Sequence, residues 1–309
     1  MPLAIEALIP VTLTVFIGFL ARHHFNVGES VWAGIEKLTY YLFAPSLLVV
    51  SLANKSLQDL AWFEVFATLV MALLLCSAVI VLWQSLIRPV DMPSFTSVFQ
   101  GGVRFNSFVA LALADNLFGA QGLMVGALAT VVIVISVNIL SVSVFSVANR
   151  RQGNWLQLPY QLITNPLIIG CLIGLTLNLT GIGLTTSLDN LLLMLGKTAL
   201  PMALLAVGAA LRLGNIGSSI EMIAFTSVMQ FLFKPVAALL IGQWLGLEGL
   251  TVIIVVIFMA VPTAPSAYVL ARQLGGNAPA MASIITVQTL IAFVTLPITL
   301  SLLLPMLNA

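Results

Sequence analysis

The chain has 309 residues, 61% of them hydrophobic and only 7% charged, with a net charge of +1 and a mean hydropathy of +1.15; soluble domains carry about 25% charged residues. That balance describes an integral membrane protein with little mass outside the bilayer. It excludes an electrostatic nucleic-acid binder, since no Lys/Arg cluster exceeds the pair Arg150 and Arg151.

A bilayer core of about 30 Å takes roughly 20 apolar residues per helix. Polar punctuation divides the chain into ten such runs: helix 1 at 4–21, helix 2 at 31–53, helix 3 at 62–87, helix 4 at 94–117, helix 5 at 121–148, helix 6 at 159–179, helix 7 at 188–211, helix 8 at 220–245, helix 9 at 250–273 and helix 10 at 279–305. Runs this long and uniformly apolar are helices and not barrel strands, so the fold class is all-α and membrane-integral, with ten transmembrane helices.

In chain order, the start MPLAIEALIP has no basic leader and no small-residue cleavage site before Arg22, so helix 1 reads as a membrane helix and not a signal peptide. The adjacent His23 and His24 that follow it read as solvated loop residues. Cys76 in helix 3 and Cys171 in helix 6 fall in apolar runs and read as small buried side chains, with no disulfide or metal framework. Helix 4 carries QGGVRFNSFVA at its centre, where Gly101, Gly102 and Asn106 should weaken regular helix. Helix 8 holds Lys234 in QFLFKP, and helix 9 reads VPTAPSAY, where Pro262 and Pro265 each remove a backbone donor.

Short loops make the positive-inside rule usable. Loops one, three, five, seven and nine carry Arg22, Arg88, Arg150 with Arg151, Arg212 and Arg272, against Lys55 alone on the other side. Both termini are therefore expected on the non-cytoplasmic side of the plasma (cell inner) membrane.

The two halves, 1–153 and 154–309, share a faint repeat. At an offset of 156 residues Pro10 meets Pro166, IGFL (17–20) meets IGLT (173–176) and AP (44–45) meets LP (200–201). At 157, LADNLFGA (113–120) meets LARQLGGN (270–277). Five helices per half is an odd number, so the second half should enter the membrane inverted. Inverted repeats mark transporters, whose site lies at mid-depth between interrupted helices in corresponding positions. Helices 4 and 9 correspond, and both are interrupted at about half depth. Half-helix N-termini at such a crossing suit an anion.

All ten acidic residues lie in loops or near run ends, whereas Arg104 and Lys234 lie deep within theirs. Each buried cation costs about 2.5 to 3.5 kcal/mol on insertion scales. Two readings stand for both: capping carbonyls freed by a break, or attracting substrate. Either way the cavity favours an anion. Asn106, Ser107, Thr263 and Ser266 are expected to bond substrate oxygens. Asn138 in helix 5 and Gln288 in helix 10 are weaker candidates, also read as glue between helices.

Three motifs resemble the auxin efflux carrier family, which includes bacterial permeases and plant PIN proteins: KLTYYLFAPSLL (37–48), GGVRFNSFVALALAD (101–115), and the pair LPMALLAVGAALR (200–212) and VPTAPSAYVLA (261–271). The resemblance implies two inverted five-helix repeats in an arrangement similar to bile-acid symporters and sodium/proton antiporters. Helices 1, 2, 6 and 7 would form a scaffold that makes a homodimer; helices 3–5 and 8–10 would form a moving transport domain. Gly101, Gly102, Pro262 and Pro265, with Pro45 and Pro201, would shape the crossover region. The cargo would be a small organic acid anion such as malate, malonate or auxin. Plant members carry a proline at both crossovers, and helix 4 here does not.

No cofactor or metal is called for. An enzyme is disfavoured because H-E-x-x-H, G-x-S-x-G and a deep carboxylate pair are all absent. An anion channel, a membrane sensor for an organic acid and a cation-coupled symporter remain as alternatives to a carrier.

Overall fold

In the computed structural model, residues 2–53, 61–148, 157–212 and 219–307 are described. Lys55, Asp59 and the Arg150 and Arg151 pair lie outside them. The described residues contain helix and connecting turns but no strand, as uninterrupted apolar runs in lipid require.

Among the described residues, seven stretches are long and apolar enough to cross a bilayer, among them Glu29–Ala53, Trp62–Ile87, Thr186–Ala210 and Ile220–Trp244. The third and eighth runs therefore match their helices almost residue for residue. Helices 4 and 5 share one 57-residue stretch, Met92–Ala148. It is divided by an extended segment at 104–106 and by Gly119, whose φ of 56° only glycine adopts freely. Helix 6 was expected as one run but is two pieces, Gln157–Ile163 and Pro166–Leu179. The cause is local: Pro166 cannot donate, and the Asn165 side chain accepts from Leu167 N and Ile168 N as an N-cap.

Matching elements recur at a nearly constant offset. Glu29–Ala53 and Thr186–Ala210 are both 25 residues long, and each starts and ends 157 residues from its counterpart. Met92–Val103 and Gly249–Ala260 are both 12 residues long at the same spacing. The faint sequence repeat is thus carried by element lengths as well.

The chain divides into two compact units. The first takes Met1–Trp62, Phe108–Val131 and Tyr160–Ala210; the second takes Phe63–Ser107, Val132–Pro159 and Leu211–Ala309. Helices 1, 2, 6 and 7 fall in the first unit and helices 3, 8, 9 and 10 in the second. Residues 108–131 group with the first unit, which differs from placing all of helices 3–5 in one body.

In the first unit, helices 1 and 7 touch backbone to backbone. A Cβ on Gly18 would lie 2.0 Å from Leu205 O, and one on Gly208 would lie 1.8 Å from Val15 O. Without a hydrophobic drive between helices in lipid, such close approach of small residues supplies the packing. Gly18→Leu should therefore destabilise the protein by about 3 kcal/mol, the upper end for overpacking, because the obstacle is main chain that cannot rotate aside. Thermal unfolding in detergent measures this.

Pro45 and Pro201 also lie in the first unit and so are not part of either break. The helix runs on through Pro201. Before Pro45 it widens into a π-turn over Thr39–Phe43, a local adjustment that accommodates the missing N–H.

In the second unit, loop contacts gather loops three, seven and nine at one end. Arg88 pairs with Glu221 at 2.7 Å, Arg212 donates to the Tyr268 hydroxyl, and Asn277 N donates to Pro93 O. Asn277 also caps helix 10 through Ala280 N and donates to Ser94 Oγ at 2.9 Å.

Candidate functional site

The site lies within the second unit, at the ends of the two interrupted helices. Helix 9a, Gly249–Ala260, stops because Pro262 drives the residue before it out of helical geometry. Val261 is extended, at φ −77° and ψ 153°. Helix 4a, Met92–Val103, stops at Arg104, with φ −72° and ψ 161°, nearly the same geometry at the equivalent position 157 residues earlier. No proline explains the first break. It is held open by partners from other helices.

The last carbonyls of helix 4a show how. Gln100 O accepts from Arg104 N within the helix. Gly101 O accepts from the Thr263 hydroxyl at 3.1 Å and from Gln288 Nε2 at 2.8 Å. Gly102 O accepts from the Cys76 thiol at 3.5 Å. Val103 O and Arg104 O accept from the Lys234 ammonium at 3.5 and 3.3 Å. A helix end normally leaves such carbonyls unpaired; here each from Gly101 to Arg104 finds a side chain. A cation at a helix C-terminus is also favoured by the helix dipole.

The second break is closed in kind. Gln230 Nε2 donates to Val261 O, Asn106 N donates to Pro262 O at 2.8 Å, and Thr263 N donates to Gln288 Oε1 at 3.1 Å. Gln288 thus spans both breaks with one amide and bonds helix 10 to helices 4 and 9. Thr263, with no exposed surface, likewise spends its hydroxyl on Gly101 O.

Gly101 and Gly102 require a correction. They do not unwind helix 4; both are helical and buried, and the break comes two residues later. Their role is close packing: a Cβ on Gly101 would lie 2.9 Å from Ile284 and 3.1 Å from Thr226.

Lys234 is fully buried and donates to Gln230 Oε1 at 2.7 Å besides the two carbonyls. That is the capping geometry. Arg104 is half-buried and donates through Nη2 to Asn138 Oδ1 at 2.6 Å and through Nη1 to Gln100 Oε1 at 3.4 Å. Asn138 therefore serves Arg104. Ser107 opens the half-helix after the first break and is half-buried; Ser266 opens Ser266–Leu274 after the second and is exposed. Pro265 sits at the N-cap of that half-helix. The structure gathers Arg104, Asn106, Lys234, Thr263, Asn138 and Gln288 around two breaks, whereas the serines line the half-helix starts.

Sequence reasoning missed Gln100, Gln230 and the thiol of Cys76. A signal for the glutamines exists: each stands four residues before a buried cation, on the same helix face.

Residues 154–300 match the family described as membrane transport protein. Over those residues, just under half of its length, the chain is similar to membrane transport proteins. A Methanothermobacter thermautotrophicus protein described as an uncharacterized transporter is 21% identical to it over 297 residues, covering 95% of this chain and 96% of the relative. The family match to the chain's second half agrees with the resemblance to auxin efflux carriers drawn from its motifs. With several helices long and apolar enough to cross a bilayer, the chain is a multi-pass membrane protein.

Proposed function

We propose that this transporter is a secondary carrier of small carboxylate anions, working by alternating access around the breaks in helices 4 and 9. The chain forms ten membrane helices in two inverted five-helix repeats. Helices 1, 2, 6 and 7 act as a scaffold that pairs with a second copy, and the remaining helices carry the cargo. The odd loops are cytoplasmic, both termini face outward, and the membrane is the plasma (cell inner) membrane.

The observation that carries this reading is the pair of breaks at Arg104 and Val261, equivalent in position and in backbone geometry. Two like interruptions at mid-depth are what an inverted-repeat carrier uses for its site. The charge beside them is positive: Arg104 and Lys234 both stand at the first break, and acidic residues lie only in loops or near run ends. A carboxylate is the complement.

Half-helix C-terminal ends and unwound carbonyls are also where carriers of this kind hold a coupling cation. Here the Lys234 ammonium occupies Val103 O and Arg104 O, which supports transport without a coupling ion. A potential negative inside is worth about 2.3 kcal/mol per charge per 100 mV, so export of a monoanion runs downhill.

Counterflow tests carrier against channel. Proteoliposomes preloaded with unlabelled carboxylate should transiently accumulate the labelled acid in saturable fashion, equally in sodium and in choline buffer. Flux that neither saturates nor shows counterflow would mark a channel, and a strict sodium requirement would mark a symporter.

A further inference from the structure

We propose that Gln100 and Ser141 complete the carboxylate site, with the Gln100 amide donating to one oxygen of the anion that Arg104 attracts. The inference rests on the reading of the protein as a carboxylate carrier and adds two contacts to it.

Gln100 lies in the last turn of helix 4a and has no exposed surface. Its Oε1 accepts from Arg104 Nη1, which fixes the amide with its NH2 end turned away from the guanidinium. That Nε2 has no acceptor in the protein. A buried donor without a partner costs about 1 to 3 kcal/mol, so an acceptor is expected to arrive from elsewhere.

Ser141 stands three residues after Asn138 in helix 5, on the face that meets Arg104. Its neighbours Ser136, Ser143 and Ser146 each donate to the carbonyl four residues earlier. The Ser141 hydroxyl does not, and it is fully buried without a partner. Around Arg104 the amide oxygens of Gln100 and Asn138 are thus used by the guanidinium, while an N–H and an O–H are left over. A cation with surplus donors is complementary to an anion rich in acceptors. The half-exposed guanidinium marks the side from which it comes.

Gln100→Met, Gln100→Glu and Ser141→Ala separate this from a structural role. The probes are labelled malonate and labelled benzoate in proteoliposomes, with elution profile and thermal unfolding as controls for folding. Gln100→Met keeps the volume and should raise the half-saturation concentration at least about 10-fold, the loss expected for a hydrogen bond to a charged group. Gln100→Glu should be worse, about 100-fold or more, because it adds a like charge beside the anion and neutralises Arg104. Ser141→Ala should raise half-saturation about 3-fold or more. If Gln100 instead only holds a buried water, Gln100→Glu keeps the Arg104 bond and outperforms Gln100→Met; that order overturns the proposal. Unchanged half-saturation in Gln100→Met and Ser141→Ala overturns it too while leaving the carrier reading intact. A wild type that moves neither acid overturns both.

Discussion

Arg104→Ala abolishes carboxylate transport and leaves the protein folded. The guanidinium donates to the neutral amide oxygens Gln100 Oε1 and Asn138 Oδ1, and its half-buried position admits water after truncation. The extended backbone at Arg104 persists, because its carbonyl is held by Lys234 and its amide by Gln100 O. Stability should therefore fall by no more than about 1 kcal/mol. Transport should fall by about 100-fold or more, since a charged hydrogen-bond partner of the anion is lost at mid-depth. Arg104→Lys keeps the charge but not the fork that spans Gln100 and Asn138, and should recover activity only in part. Uptake assays on reconstituted protein, normalised to folded protein, check both. Normal uptake by Arg104→Ala would show that the arginine only supports the break.

Lys234→Met has the opposite signature, with stability lost first. The ammonium is fully buried and serves Val103 O, Arg104 O and Gln230 Oε1 together. Methionine matches its length but leaves three acceptors, two of them fully buried, without that donor. Each uncompensated group costs about 1 to 3 kcal/mol, so the expected loss is about 3 kcal/mol or more. Because helix 4a has no proline to stop it at Val103, losing the cap also removes a force that holds the first break. Thermal unfolding should shift sharply downward and transport should fall with it. A change below about 0.5 kcal/mol, the level of a neutral surface substitution, would mean that Lys234 does not cap the helix end.

These two residues show what was legible in the sequence. Apolar run length alone placed several of the long helices, and Trp62–Ile87 was met at both ends, because lipid leaves the backbone no alternative to helix. The break in helix 9 was also legible, since Pro262 acts on its own neighbour. The break in helix 4 was not. Gly101 and Gly102 drew attention to themselves, yet the chain stays helical there and turns extended at Arg104, where Lys234, Thr263, Gln288 and Cys76 meet the helix end from segments 26 to 187 residues away. Such tertiary partners leave no local trace. The glutamines four residues before Arg104 and Lys234 were the one local trace. Helix 6 teaches the same point from the other side: Asn165 with Pro166 is a start signal of local origin, and an apolar count overlooked it.

The most direct test of a carboxylate carrier driven by potential is uptake of labelled malonate and benzoate into liposomes holding the purified protein, with a potassium diffusion potential of either sign. An interior-positive potential should accelerate saturable uptake of at least one acid, an interior-negative potential should suppress it, and sodium should make no difference. Liposomes that take up neither acid at either sign, with the protein folded, would contradict the account.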